Sequence, residues 1–134
     1  MDPAEGGCLC GAVRYRVVGD PVATSRCHCV SCRRASGAPA VAWIVVRALD
    51  FAFVAGLPVG YRSSQPVVRT FCGRCGTPLT YQHDDSPETI DITTATLDAP
   101  GRFAPTREIW LEHRIAWEPV IEALPHFPRS SRDS

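Results

Sequence analysis

Alternating hydrophobic and polar positions recur along the chain in short runs cut apart by proline and glycine. Across residues 12–18, Val13, Tyr15 and Val17 fall on one side and Arg14 and Arg16 on the other, the period-two pattern of a half-buried strand. Residues 40–46 form a continuous apolar run, rich in valine and carrying Trp43, which predicts a strand buried on both faces. Further strands are expected over residues 50–55, 59–63, 67–71, 79–82, 89–94 and 108–112, with Gly-Leu-Pro and Ser-Ser-Gln-Pro as turn signals. Only residues 30–35 and 119–123 read as helical, and both stretches are short. The fold class is therefore mainly β. Residues 1–128 are expected to form a single domain, and the polar stretch 129–134 a frayed, flexible tail.

Composition sharpens this picture. A length of 134 residues suits one domain with a real core, and 45% apolar with 21% charged residues fits a globular chain rather than a disordered one. The 14 basic and 14 acidic residues cancel, so no surplus of cations is available for nucleic-acid phosphates or an anionic membrane. Both partners are argued against. The longest apolar run, residues 38–46, is far short of the roughly 20 residues of a membrane helix. The opening residues hold no apolar stretch, so no secretory signal is expected, and a reducing cytoplasmic setting follows. Disulfides are uncommon there, and seven cysteines cannot all pair within one chain. The oligomeric state leaves no trace in the sequence.

The cysteines fall in three clusters. Cys8-Leu9-Cys10-Gly11 and Cys72-Gly73-Arg74-Cys75-Gly76 each offer two sulfurs, with a glycine directly after the second to let the backbone turn tightly. Together they supply four thiolates, enough to close a tetrahedral zinc site. Cys27, Cys29 and Cys32 supply three and no fourth. Three protein ligands with an open position is the arrangement of a catalytic or substrate-binding zinc. Spacing alone leaves open which clusters combine, and His28 or another histidine is available as a fourth ligand to the trio. It also leaves open plain scaffolding, buried free thiols, or an iron–sulfur cluster, whose usual cysteine runs are spaced differently.

Three segments, GGCLCGAVRY, CHCVSCRRASG and FCGRCGTPLT, in this order and at these separations, resemble the glutathione-dependent formaldehyde-activating enzyme family, which includes relatives of centromere protein V. The likeness continues through TLDAPGRFAP and the EIW…AW…LP pattern, covering nearly the whole chain. The resemblance implies a β-tent fold of small antiparallel sheets around a structural zinc. It assigns Cys8, Cys10, Cys72 and Cys75 to that zinc, and Cys27, Cys29 and Cys32 to a catalytic one. It also implies a carbon–sulfur lyase activity, joining glutathione and formaldehyde as S-hydroxymethylglutathione. One departure stands out: relatives commonly carry histidine before the Ile-Trp pair, and this chain has Glu108.

Charge limits what such an open site can do. Zinc with three thiolates carries a net charge of about −1, so it polarises a carbonyl weakly and is better suited to holding an incoming thiol as thiolate. Addition of a small thiol, glutathione by the resemblance, to an aldehyde is the expected chemistry; hydrolysis by a metal-bound hydroxide fits less well. Arg33 and Arg34, with Arg26 and Arg74, can offset the anionic centres or meet a ligand's carboxylates, against the plainer reading of exposed surface charge. His28 lies between two ligands, as a hydrogen-bond donor, proton carrier, ligand or substrate contact; strict alternation about Cys27 and Cys29 instead turns it towards solvent. Trp43, Trp110 and Trp117 are expected in core or pocket walls. No Ser-His-Asp arrangement or dinucleotide fingerprint is present. The alternative class of function is a non-catalytic, zinc-stabilised module that carries a thiol or binds a macromolecule.

Overall fold

The computed structural model describes residues 2–131. Within them the chain runs β1 (Ala4–Gly7), β2 (Arg14–Val17), β3 (Ala23–Cys27), α1 (Val30–Ser36), β4 (Val41–Arg47), β5 (Phe51–Ala55), β6 (Val59–Ser64), β7 (Val67–Phe71), β8 (Pro78–His83), β9 (Thr89–Thr93) and β10 (Glu108–Ile109), with short 3-10 turns between some of them. A three-stranded sheet has the order β1-β2-β5, and a seven-stranded sheet the order β10-β3-β4-β9-β8-β7-β6. Every pairing is antiparallel except that of β10 with β3. The expectation of a mainly β fold holds.

Strand periodicity decides how the sheets pack. On β2, Tyr15 and Val17 are fully buried, with Val13 just before the strand also buried, while Arg14 pairs with Asp98 at the surface. On β4 and β9, Ile44, Val46, Ile90 and Ile92 turn to the same side of the large sheet. These residues meet the β2 set in one core drawn from both sheets, joined by Leu97, Phe103, Cys8 and Cys72. Each such aliphatic side chain contributes about 1.5–3 kcal/mol of burial. Tyr15 is accepted there because its hydroxyl meets Thr96 Oγ1 at 2.7 Å. The opposite face of the large sheet carries Cys27, Ser25, Trp43, Val45, Tyr81 and Arg69, which the pairing register places side by side. β4 thus buries both its faces, as its unbroken apolar run predicts.

The structure departs from expectation in several places. Residues 119–123 are not helical. Pro119 and Pro125 bracket the stretch, the Ile121 amide is taken by the Glu108 carboxylate, and the Pro119 carbonyl is taken by Arg26. The strand expected over residues 108–112 stops at Ile109, because Trp110 adopts φ 58° and the chain enters a 3-10 turn. β1 and β3 form where the sequence shows no strong alternation. In the segment expected to fray, the Arg129 carbonyl accepts from the Trp110 amide and Ser131 Oγ from Arg107; residues 132–134 lie outside the described part.

Candidate functional site

Two hairpin-like turns build the four-cysteine cluster. Cys8 and Cys10 follow β1, whereas Cys72 and Cys75 lie in the turn from β7 to β8. Gly11 and Gly76, each directly after the second cysteine, have φ of 79° and 85°, a left-handed backbone that glycine adopts without a Cβ penalty. The turns are latched by Gly11 N–H to Cys8 O at 3.1 Å and Gly76 N–H to Cys72 O at 2.8 Å. Leu9 N–H reaches across to Thr77 Oγ1 at 3.0 Å and ties one turn to the other. All four sulfurs fall within 4.8 Å of one another, a spacing able to hold one metal ion. The backbone N–H of Val13 points at Cys8 Sγ, and those of Arg74 and Cys75 at Cys72 Sγ. Such donors favour thiolates, and the Thr77 hydroxyl with its backbone brings the Cys75 thiol down to about 5.

The second cluster sits where β3 hands over to α1. Cys27 ends β3, Cys29 is the N-cap of α1 and Cys32 lies in its first turn. Cys29 Sγ accepts the Cys32 amide at 3.3 Å, filling the place usually taken by a serine or aspartate oxygen. Gly37, at φ 73°, closes the helix by donating to Arg33 O. The three sulfurs again lie within 4.8 Å of one another, and no histidine or carboxylate joins them among the described residues. Taken by themselves, the thiols share charge unevenly. Donation from Cys27 and Cys32 holds Cys29 far below the ordinary thiol range, and that charge, with burial, pushes Cys27 far above it. Three crowded sulfurs with one soft negative charge among them are a donor set that suits a thiophilic cation.

A cleft of about 730 Å³ opens over this cluster. All three of its cysteines line the cleft, and none of Cys8, Cys10, Cys72 or Cys75 does. Trp43, Tyr81, Ile109 and Trp110 form apolar walls. Arg69, unmarked in the sequence because it lies 37 residues from Cys32 and beside the motif of the other cluster, reaches over Tyr81 and Trp43 to place Nη2 3.8 Å from Cys32 Sγ. Among the described residues it is the arginine whose guanidinium meets a sulfur of the trio. Arg33 is half-buried on α1 and Arg34 is exposed, and neither lines the cleft; Arg74 is exposed beside the four-cysteine cluster.

His28 overturns the expectation of a solvent-facing side chain. It has no exposed surface, and its Nε2 lies 2.7 Å from Glu108 Oε1. Glu108 is equally buried and also accepts two bonds from Arg26 at 2.9 Å and one from the Ile121 amide at 2.7 Å. Burial alone would push this carboxyl up, but those donors outweigh it and hold the group at about 2. An ionised carboxylate only accepts, so Nε2 carries the proton in this pair. The parallel pairing of Glu108 with Arg26 and of Ile109 with Cys27 sets this network directly behind the trio. Glu108 is thus a buried brace behind the trio.

The model of the glutathione-dependent formaldehyde-activating enzyme family matches residues 3–113, most of the chain and every cysteine in it. This chain belongs to that family. A family protein of Halomonas elongata, named provisionally as a glutathione-dependent formaldehyde-activating enzyme, is 30% identical over 123 aligned positions, covering 84% of this chain and 78% of its own. A Schizosaccharomyces pombe protein, named as an uncharacterised lyase, is 32% identical over 84 positions. That match covers 62% of this chain and 60% of the yeast protein. The crystal structure of a Rhodobacter sphaeroides protein superimposes with a TM-score of 0.61 at 22% identity, covering 92% of this family member and 98% of that chain, a likeness of fold. The names of the relatives support an enzyme, and the two sulfur clusters can hold metal.

Proposed function

We propose that this protein is a zinc-dependent enzyme of the carbon–sulfur lyase type that joins a small thiol, with glutathione the leading candidate, to formaldehyde or a related aldehyde. One observation carries the reading: the three-sulfur cluster opens into the large cleft, and the four-sulfur cluster does not. In this reading Cys8, Cys10, Cys72 and Cys75 hold a structural zinc, while Cys27, Cys29 and Cys32 hold the second ion. Zinc at the trio would keep a substrate thiol ionised near neutral pH. The reaction is an addition: a C–S bond forms, the C=O π bond opens, and the carbonyl oxygen takes up the proton that the thiol gives up. No oxidant or reductant is consumed. Trp43, Tyr81 and Trp110 shield the reacting atoms from bulk water, and the Arg26–Glu108–His28 network fixes the backbone that carries Cys27 and Cys29.

The test is a steady-state assay of formaldehyde with glutathione, run against the uncatalysed background. Acceleration that saturates and is lost in Cys29→Ser supports the reading. Saturable binding of glutathione without acceleration would make the protein a thiol carrier instead.

A further inference from the structure

We propose that Arg69 selects anionic thiols at the three-cysteine cleft. The inference rests on the thiol-site reading above and adds to it the charge of the ligand that the site prefers.

The register of the large sheet puts Arg69 opposite Tyr81 and Tyr81 opposite Asp91, so their side chains emerge on the cleft face. From there the guanidinium lies 5.0 Å from the centre of the Tyr81 ring and 6.0 Å from that of Trp43. A planar cation resting on two aromatic faces is held in one orientation. Its Nε donates to Ser63 Oγ at 3.2 Å, and Nη2 points at Cys32 Sγ. Among the described residues these contacts engage two of its five N–H donors, leaving the fork able to grip a ligand beside the sulfurs.

The electrostatics require such a group. A cation bound by three thiolates is still a net anion and by itself repels a negatively charged ligand. Arg69, with Nη2 3.8 Å from Cys32 Sγ, reverses that preference locally. Glu88 and Asp91 also face the cleft. The Asp91 backbone is two strands from that of Arg69, roughly 10 Å away at the usual strand spacing. Arg107 lines the cleft too, with Nη1 directed to Ser131. A short thiol seated by its sulfur at the trio therefore places a terminal carboxylate by Arg69.

Three thiols with the same two-carbon spacer make the test: 3-mercaptopropionate, 2-mercaptoethanol and cysteamine, ending in a carboxylate, a hydroxyl and an ammonium. Each is titrated into the zinc-loaded protein by calorimetry. The wild type should bind the carboxylate about tenfold more tightly than the alcohol, the scale of one charge-assisted hydrogen bond, and the amine most weakly. Arg69→Met should remove or invert the order, leaving the carboxylate no tighter than the alcohol, while changing the affinity of the alcohol by less than about threefold. Arg69→Lys, which keeps the charge, should retain part of the preference. If Arg69→Met does not fold, Arg69→Gln takes its place. An unchanged preference in the neutral variant overturns the proposal, as does an equal loss for all three ligands, which would mark Arg69 as merely structural. Equal wild-type affinities overturn the proposal and leave the thiol site standing. No binding of any thiol to the wild type removes both.

Discussion

Glu108 has no exposed surface, yet it carries a charge, because Arg26, His28 and the Ile121 amide together supply what water would otherwise provide. Its folded value of about 2 lies below the ordinary 4.5, so the unfolded chain binds the extra proton in the interval between them. The stabilisation is therefore complete above about pH 4.5 and is lost as pH falls towards 2. A difference of that size corresponds to about 3 kcal/mol. Glu108→Gln should destabilise the protein at pH 7 by roughly that amount, since removing one partner strands the buried side of Arg26. The gap between wild type and variant should narrow steadily below pH 4.5. Urea unfolding followed by tryptophan emission measures both, and a gap that is constant with pH would show that the carboxylate's charge does not matter.

At the scale of elements, each cysteine turn depends on the glycine that follows it. Nothing lies within 4 Å of a Cβ built on Gly76, so any cost of Gly76→Ala comes from its φ of 85° alone. That cost is about 1–2 kcal/mol for a left-handed residue. Gly101 has equal space and no left-handed backbone, so Gly101→Ala should be close to neutral. Thermal unfolding of the pair separates the two, and equal melting points would remove the role given to the turn. These turns were legible in the sequence because ligand spacing and a required glycine are local signals. So were β2 and β4, whose alternation and apolar run survive in the buried face of Tyr15 and Val17 and in both faces of β4. β1 and the loop at 119–123 were not, because what fixes them is distant. β1 gains its shape by pairing with β2, and the loop by donating Ile121 N–H to a carboxylate 13 residues earlier. Arg69 was hidden for the same reason, since 37 residues separate it from the sulfur it meets.

Taken whole, the molecule assigns its two sulfur clusters different mechanical duties. The four-cysteine cluster joins a turn leading into the small sheet to the β7–β8 turn of the large one, and Cys8 and Cys72 are part of the shared core. The trio hangs on one strand end and one short helix at the mouth of the cleft. Metal loss at the first should therefore be felt through both sheets, and loss at the second only locally. Cys72→Ser breaks the closed site and places a hydroxyl at a position only 1% exposed, so a cooperative folded state should be lost or severely weakened. Cys29→Ser is a different kind of change. Serine is itself a preferred N-cap, so α1 keeps its first hydrogen bond while the trio loses one of its three ligands. The expected result is two zinc per wild-type chain and one for Cys29→Ser, with a melting transition displaced by only a few degrees. Zinc analysis and calorimetry on the two variants decide the point. A Cys29→Ser protein that unfolds along with Cys72→Ser would mean that both clusters are scaffolding, and the case for an open reactive site would fall.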